Sequence, residues 1–458
     1  MITGALSLLL TVLGSVVALA APAAAQPPPP AQGRVIDELG GILSHRDRAE
    51  AVNRMLRDRL EHLLPEMMRE TGIDMWLVIN REYAEDPVYL TLVPEPVFSA
   101  RRTTMLVFFD RGPEHGVERL TVSRYPIADL YEAVWEGGSL EEQWRQLVQL
   151  IGERKPARIG INTSADWPVG DGLTAGLRDL LMDALPKKLR KRIVSAQDLS
   201  IRWLESRSAL ELEAYPHIVS LARRVIAEAF SDRVITPGVT TTADVHWYIR
   251  QRFEDLNLRP WFQPYVNFQR RGTTYEKDKP FFGESQGVIL RGDVLHTDVG
   301  ICYLRLCTDT QEMAYVLLAG EERPPAGLLG ALRTGNRWQD QLTAAFVSGR
   351  TGNEILASAR QQAEQAGITA QIYTHPIGFF GHAPGPTIGM WDNQGPTPVR
   401  GDWTLFPNTA YAIEGNVKVQ VPEWADQWVQ IKLEQSAVFD GKQVIYLAGR
   451  QTTWHLIH

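Results

Sequence analysis

Two hydrophobic patterns divide the chain into an α/β part and a second part with longer helices. Between residues 49 and 68, apolar residues recur every three or four positions, which predicts a helix with one buried face. Apolar runs at 75–79 and 104–109 predict buried strands, and the short segment 158–162, with Ile159 and Ile161, predicts a third. Because helices alternate with these strands, residues 46–203 are predicted to form a layered α/β domain.

The pattern changes near residues 203–207, where a long amphipathic helix begins. Ser208 and Glu211 stand three residues apart, which is the spacing of a capping box at a helix start. Further helical patterns follow at residues 242–256, 327–346 and 351–366. Residues 204–458 are therefore predicted to form a second, larger domain, and the fold class is α+β.

Two aspartates in the second domain lie on a predicted β-hairpin. Asp298 and Asp309 flank Gly300 and the segment 303–306, and alternation along the strands places both on one face. Two carboxylates that converge on a buried face need a cation or a proton between them. For an isolated pair, solvent-facing aspartates are the simpler interpretation, but three later segments reverse it.

These segments supply a histidine and two glutamates from short apolar runs. His375 lies in THPIGFFGH, Glu414 in AYAIEGNV and Glu434 in IKLEQSAV, where each glutamate ends the run. An isolated carboxylate is costly to bury in such a run. Four carboxylates and one imidazole suit two divalent cations, because the carboxylates cancel the charge and a shared water becomes a nucleophile near neutral pH.

The order of the motifs resembles the pita-bread metallopeptidases, which include methionine aminopeptidases, Xaa-Pro aminopeptidases, prolidases and creatinase. The motifs are D-x10-D, then H-x-I-G with a second histidine, then I-E-G and I-x-L-E. The resemblance implies a carboxy-terminal pita-bread catalytic domain preceded by a smaller creatinase-type α/β domain. It also implies a homodimer, because the amino-terminal domain of such relatives supports dimers.

Chemistry and resemblance together assign a role to each residue. Asp298 would chelate one metal ion, and Asp309 and Glu434 would bridge both ions. His375 and Glu414 would hold the other ion, and Glu414 would also shuttle the proton. The oxygen-rich donor set suits two Mn²⁺ ions best, with Co²⁺, Fe²⁺ or Zn²⁺ as alternatives.

A second histidine has a separate expected role. His382 is too far along the chain to share the metal of His375 by local geometry. It resembles the histidine that hydrogen-bonds the scissile carbonyl group and its developing oxyanion in the family.

Several departures from the family pattern bear on the substrate. No histidine lies between His246 and His296, where peptide-cleaving relatives have one that contacts substrate. Pro376 replaces a glycine, and Lys432 stands where arginine is common. His296 shares its strand face with Asp298 and is either a hydrogen-bonding neighbour of the ligands or a histidine of the core. Metal binding therefore follows more directly from the sequence than Xaa-Pro specificity does.

Three functions remain open on this evidence. The first is a dinuclear metallopeptidase of the Xaa-Pro aminopeptidase or prolidase type, which removes an amino-terminal residue by attack of a metal-bridging hydroxide. The second is a hydrolase of the same fold that acts on a non-peptide amide or ester. The third is a catalytically silent binding module; such modules typically lose metal ligands, whereas all five are present here.

The amino terminus predicts export. Residues 1–33 contain no Lys, Arg, Asp or Glu, and the apolar run 6–21 precedes the small residues 23–25, although a basic segment is missing. We expect a signal peptide at 1–25, a proline-rich linker at 26–45, and a periplasmic or secreted protein without stable membrane insertion. An uncleaved anchor is the alternative, but the run is shorter than the roughly 20 residues of a membrane span.

Charge and cysteine content limit the partners and the redox state. The formal net charge is −7, so no binding to nucleic acid is expected; the expected partners are a peptide or small amide substrate and a second copy of the chain. Cys302 and Cys307 are the only cysteines. Because direct strand pairs often fit disulfide geometry poorly, two packed thiols are expected.

Overall fold

The computed structural model describes residues 41–273 and 287–458. The predicted signal peptide and most of the predicted linker lie outside the described residues, so both stay predictions. Within the described ranges, no helix has both the length and the apolar character that crossing a membrane would require.

The strand Met75–Arg81 shows how the amino-terminal domain is layered. Trp76 and Val78 lie in one hydrophobic cluster, and Leu77 and Ile79 lie in another on the opposite face. Successive side chains of a strand point to opposite faces. Helices cover both faces of the sheet, which explains why its strands are continuous apolar runs in the sequence.

This sheet contains parallel and antiparallel pairs. Its strands are Met75–Arg81 (β1), Thr103–Asp110 (β2), Val117–Val122 (β3), Glu132–Ala133 (β4), Ile159–Ile161 (β5) and Ile193–Ser195 (β6). They lie in the order β4-β3-β2-β1-β5-β6, with β1 antiparallel to β2 and parallel to β5.

Helices lie on both faces of the sheet. They are His45–Asp58 (α1), Leu64–Glu70 (α2), Tyr89–Leu92 (α3), Leu140–Arg154 (α4), Ala175–Ala184 (α5), Lys187–Arg190 (α6) and Gln197–Glu205 (α7). A π-helical segment, Arg59–Leu63, joins α1 to α2, and Pro168–Gly170 is a 3₁₀ turn. Helices α1, α2 and α7 pack on one face of the sheet, and α4 and α5 pack on the other.

The carboxy-terminal domain is built on a second sheet, mainly antiparallel. Its strands are Tyr265–Gln269 (β8), Val294–Val299 (β9), Thr310–Val316 (β12), Thr369–Ile372 (β13), His375–Ile377 (β14), Thr409–Val421 (β15), Gln427–Phe439 (β16), Val444–Tyr446 (β17) and His455–Ile457 (β18). The order is β13-β15-β16-β12-β9-β8, with β14 also paired to β15, β17 to β16 and β18 to β12. Arg259–Pro260 (β7), Ile301–Tyr303 (β10) and Leu306–Cys307 (β11) form a small separate sheet.

The helices of this domain are Ala209–Ala229 (α8), Thr242–Asp255 (α9), Ala326–Ala344 (α10) and Gly352–Gln365 (α11), with a 3₁₀ turn at Pro422–Trp424. The predicted capping box is confirmed: Ser208 Oγ accepts from the Glu211 backbone N–H, and the Glu211 carboxylate accepts from the Ser208 N–H. The other predicted helices are also confirmed, with small differences at their ends. Helices α10 and α11 cover one face of the sheet.

The hairpin predicted around Asp298 and Asp309 is split into two pieces. Strand β9 pairs with β12, and Gln311 lies opposite Asp298. Strands β10 and β11 form a short hairpin that pairs with β7 instead. The break falls at Gly300, where the indole of Trp261 packs so closely that an added Cβ would clash with it.

Cys302 and Cys307 form a disulfide, so the expectation of two packed thiols is wrong. The two residues are direct partners on β10 and β11, and their Cα atoms lie 3.9 Å apart. Leu304 and Arg305, which connect the strands, both have positive φ, as in the tight two-residue turns of hairpins. This turn brings the sulfur atoms together, and the sequence does not indicate it because neither residue is glycine or asparagine.

A buried ion network joins the two domains. Arg59 of the amino-terminal domain donates to a carboxylate oxygen of Glu211 at 2.7 Å, and Arg207 donates to the other oxygen at 3.3 Å. The ring of Phe379 lies 4.9 Å from one guanidinium group and 4.7 Å from the other. Because Phe379 lies between β14 and His382, the network also holds the segment that carries both predicted site histidines.

We predict that Glu211→Gln lowers the free energy of unfolding by about 3–5 kcal/mol, because two buried guanidinium groups lose their carboxylate. Denaturant titration of the purified protein measures the change. The matched control is Asp129→Asn: Asp129 pairs with Arg57 at 2.7 Å, but these side chains are 75% and 42% exposed. Pairs of that kind contribute at most about 1 kcal/mol, so similar losses in the two variants would contradict the prediction.

Candidate metal centre

A row of side chains crosses the carboxy-terminal sheet at one level. The direct register partners across β8, β9, β12, β16 and β15 are, in that order, Tyr265, Asp298, Gln311, Glu434 and Glu414. Direct partners on antiparallel strands point to the same face of a sheet. Five strands therefore contribute to one polar strip.

Alternation along β15 and β16 explains why the strip is polar while the opposite face is not. Tyr411, Ile413 and Leu433 belong to the hydrophobic cluster beneath α10 and α11. Glu414 and Glu434 occupy the intervening positions and point away from that cluster. The expectation that each glutamate ends a short run is wrong, because both lie within strands of 13 residues.

Asp309 and His375 join the strip from the next level of the sheet. His375 on β14 is the register partner of Ala412, two residues before Glu414. The backbone N–H of Asp309 donates to Ser436 Oγ at 3.3 Å, and Ser436 is the register partner of Ala412. Since alternate residues of a strand share a face, this level lies beside the row of carboxylates.

The structure brings the five predicted metal ligands together. Donor atoms of Asp298, Asp309 and Glu434 lie within 4.8 Å of one another, as do those of His375, Glu414 and Glu434. His375 Nε2 is 3.4 Å from a carboxylate oxygen of Glu414 and 3.6 Å from one of Asp309. Their individual roles as ligands stay predictions.

Unpartnered donor atoms test whether a metal fits this group. Among the described residues, no hydrogen-bond partner exists for Oδ1 of Asp298, Oδ1 of Asp309, Oε1 of Glu434 or Nε2 of His375. Buried polar atoms are nearly always satisfied. Carboxylate oxygens with one imidazole nitrogen are a donor set for hard or borderline divalent cations, so the residues fit a pair of such cations.

The carboxyl groups resist ionisation in the absence of a cation. Burial raises the pKa of Asp298 to about 7. Burial, and then neighbouring carboxylates, raise the pKa values of Asp309, Glu414 and Glu434 well above the usual range. Burial lowers the pKa of His375 to about 4, so its imidazole is neutral near pH 7, which is the form that binds metal ions.

Lys432 places one positive charge beside the strip. It lies on β16 two residues before Glu434, and its ammonium nitrogen is 5.8 Å from the ring centre of Tyr265. Its charge lowers the pKa values of Asp298 and Glu414, against the larger effect of burial. One ammonium group offsets only part of the charge of four carboxylates.

His382 lies at the exposed edge of the group. Its ring centroid is 4.6 Å from that of His375 and 5.0 Å from that of Trp261. Donor atoms of Asp309, His375 and His382 lie within 4.8 Å of one another. The chain turns back after β14 and so brings His382 beside His375 despite their separation along the sequence; its expected role toward the substrate stays a prediction.

Two residues of this site were not predicted from the sequence. Gln311 lies at the centre of the row and is 3% exposed. Its position two residues after Asp309 could have indicated it, because alternate residues of a strand share a face. Trp261 packs so tightly against Gly300 and Gly381 that neither position has room for a Cβ. Each of these glycines lies within or beside a predicted site motif, and a glycine at such a position can indicate that a bulky side chain packs against it.

Comparison with known proteins agrees with this geometry. The model of metallopeptidase family M24 matches residues 214–439, the segment that contains all five predicted ligands and His382. This segment belongs to metallopeptidase family M24. No curated protein sequence matches the chain.

Solved structures share the fold over most of the chain. An X-Pro aminopeptidase from Thermotoga maritima MSB8 is 18% identical, with a TM-score of 0.58, and the match covers 85% of this chain and 99% of that one. An Xaa-Pro dipeptidase from Bacillus anthracis is 16% identical, with a TM-score of 0.56 and coverage of 90% and 100%. A prolidase from Pyrococcus horikoshii OT3 is 15% identical, with a TM-score of 0.53 and coverage of 88% and 99%.

At these identities the likeness shows the fold. A pita-bread catalytic domain preceded by a smaller α/β domain is thereby confirmed. The match to family M24 identifies the carboxy-terminal domain as a metallopeptidase domain.

The raised carboxyl pKa values predict how metal stabilises the protein at different pH. The pKa of Asp298 is about 7 in the fold, against 3.8 as its ordinary value. Between these values the metal-free folded state holds more protons than the unfolded chain, so its stability falls as the pH rises. A bound cation offsets this loss of stability, because it neutralises the ionised carboxylates. It also binds more tightly at higher pH, where fewer protons compete for the same carboxylate oxygens. We predict that the rise in Tm caused by Mn²⁺ is larger at pH 8 than at pH 5.

Differential scanning calorimetry of metal-free protein, with and without added Mn²⁺, measures this difference. A rise in Tm that is the same at both pH values, or larger at pH 5, would contradict the prediction.

Proposed function

We propose that this protein is a dinuclear metal-dependent hydrolase that removes an amino-terminal residue from a peptide, as an Xaa-Pro aminopeptidase or prolidase does. The supporting observation is the convergence of five donor residues, with unpartnered atoms on four of them among the described residues, inside the family segment. Asp298 would hold one cation, and His375 and Glu414 the other. Asp309 and Glu434 would lie between the two. Mn²⁺ suits this set best, with Co²⁺, Fe²⁺ and Zn²⁺ as alternatives.

Bound cations would supply Lewis acidity, which polarises a carbonyl group and lowers the pKa of water. The protein itself contributes proton transfer, and Glu414 suits this role. It is half-buried, and burial raises the pKa of its carboxyl group. A carboxyl group tuned in this way accepts a proton from water and then donates it to the leaving amine.

His382 is the proposed hydrogen-bond donor to the carbonyl oxygen of the scissile bond. Its imidazole lies at the exposed edge of the site, beside His375. A donor directed at the atom where negative charge develops stabilises the transition state more than the substrate.

An aromatic wall beside His382 bears on substrate choice. Trp261 and Phe262 pack edge to face with ring centroids 4.4 Å apart, and Trp261 also packs edge to face with the His382 ring. A substrate residue next to the scissile bond would meet this wall. Because apolar rings gain from stacking on such a surface, a proline or another apolar residue suits this side of the site.

We also propose that the mature protein is exported and forms a homodimer. The uncharged apolar amino terminus supports cleavage after residue 25 and release to the periplasm or the medium. The dimer rests on the family resemblance of the amino-terminal domain. Amino-terminal sequencing of the mature protein and light scattering of the purified protein test the two proposals.

A hydrolase of a non-peptide amide or ester is the second candidate. The absence of a histidine between His246 and His296 favours it, because relatives use that residue to contact peptides. Metal analysis followed by a screen of Xaa-Pro peptides separates the candidates. Two equivalents of metal with cleavage support the peptidase, two equivalents without cleavage favour the second candidate, and absence of metal would indicate a silent binding module.

We predict that Asp309→Asn lowers the metal content of the protein and reduces hydrolysis at least about 100-fold. The substitution replaces a charged carboxylate at the centre of the site with a neutral amide. Even residues that only orient metal ligands contribute about 10–100-fold to metal affinity or activity. Metal content and kcat/KM are measured on the same preparation.

The matched control is Asp86→Asn in the amino-terminal domain. Asp86 is a buried carboxylate, 3% exposed, that accepts from Asn162 Nδ2 at 2.8 Å. This variant should keep the metal stoichiometry of the wild type. Unchanged metal stoichiometry in Asp309→Asn would contradict the assignment.

We predict that His382→Ala lowers kcat by about 10²–10³-fold, because one donor to the developing oxyanion is lost, while metal content stays unchanged. Steady-state kinetics and metal analysis measure the two quantities. His115→Ala, at an exposed position in the amino-terminal domain, is the control and should match the wild type. Loss of metal together with activity in His382→Ala would instead make His382 a ligand.

A further inference from the structure

Gln311 stands between the carboxylates of the metal centre without belonging to the predicted ligand set. It lies opposite Asp298 on one side and opposite Glu434 on the other. Its side chain is 3% exposed. A neutral amide at the centre of four acidic groups needs a reason, because each of its polar atoms must find a partner.

The amide nitrogen of Gln311 binds two of the carboxylates at once. Nε2 donates to Glu414 Oε1 at 2.8 Å and to Glu434 Oε2 at 2.9 Å. An amide NH₂ group has two hydrogens, so both are used. The two glutamates, which are direct partners on β15 and β16, are thus tied to one side chain.

These bonds divide the oxygens of each glutamate into two kinds. Glu434 Oε2 is taken by Gln311, while Glu434 Oε1 has no partner within the part of the chain that the structure describes. Glu414 Oε1 is taken as well, while a second oxygen, Oε2, lies 3.4 Å from His375 Nε2. In both carboxylates, the oxygen left by Gln311 is the one directed at the other predicted ligands.

His296 holds the amide in the orientation that this division requires. Its Nε2 lies 2.8 Å from Gln311 Oε1. Because the NH₂ group faces two carboxylates, the amide oxygen must face His296, and His296 Nε2 must carry the hydrogen. Rotating the amide by half a turn would place its oxygen against two carboxylates and its NH₂ group against an N–H, so one orientation is strongly preferred.

We propose that Gln311, held by His296, is a positioning residue that selects which oxygens of Glu414 and Glu434 face the cations; this inference rests on the proposed dinuclear function. Outer partners that orient metal ligands commonly contribute 10–100-fold to metal affinity. Neither residue belongs to the predicted ligand set. From the sequence alone, His296 is either a hydrogen-bonding neighbour of the ligands or a histidine of the core.

Gln311→Met tests the proposal, since methionine has nearly the same length and shape but donates no hydrogen bond. Mn²⁺ affinity is measured by calorimetric titration of the metal-free protein, and the visible spectrum of the Co²⁺-loaded protein reports the geometry around the ion. We expect a 10–100-fold weaker affinity and a shifted Co²⁺ spectrum. His296→Leu, which removes only the bond that orients the amide, should shift both quantities in the same direction by less.

Gln143→Met is the matched control. Gln143 is also a buried glutamine, 4% exposed, whose Nε2 donates to two acceptors, the carbonyl oxygens of Thr103 and Val122. It lies in the amino-terminal domain, so its variant should lose stability without any change in affinity or spectrum. A merely structural role of Gln311 would give the same result as this control.

The outcomes separate the inference from the proposed function. If the wild type binds two ions and Gln311→Met and His296→Leu both behave like Gln143→Met, the inference is wrong and the function stands. If the wild type binds no metal, both are wrong. If Gln311→Met does not fold, His296→Leu decides: unchanged affinity and spectrum overturn the inference, and weaker affinity with a shifted spectrum supports it.

Discussion

Electrostatic repulsion among four carboxyl groups on one face of one sheet is the constraint on which the rest of this structure depends. Burial raises the pKa values of all four groups, and neighbouring carboxylates raise those of Asp309, Glu414 and Glu434 further, so the site needs protons or cations to be stable near neutral pH. Lys432 and the amide of Gln311 relieve part of the repulsion. The remaining unpartnered atoms converge on one small space, which is where the proposed cations would bind.

The scaffold keeps these groups in place although they repel one another. Strands β15 and β16 pair over their full length, and their other face is packed beneath α10 and α11 in a continuous hydrophobic cluster. A shift of one residue along either strand would move a glutamate into that cluster, so the burial of Ile413 and Leu433 fixes the position of the acids. At the open side, Phe379 between Arg59 and Arg207 holds the segment between His375 and His382.

Gln311, His296 and Lys432 surround the predicted ligands without belonging to the predicted ligand set. The five donors follow the family order, whereas the neighbouring Gln311, His296 and Lys432 form a separate set of contacts with them. On the substrate side, Trp261 fills the space left by Gly300 and Gly381. Contacts of this kind tune ligand orientation and access to a site without changing the reacting groups, so they are compatible with the proposed hydrolysis and with an altered substrate.

The sequence by itself determined the α+β architecture and the start of α8 at Ser208, and it predicted five acidic and imidazole residues that the structure brings together, because periodicity, capping and ligand chemistry are local properties. It could not determine which residues meet across strands. The row from Tyr265 to Glu414, the approach of His382 to His375 and the disulfide between Cys302 and Cys307 depend on register and turn geometry. Register is decided by the packing of distant strands against α10 and α11, and only the tertiary structure contains that information.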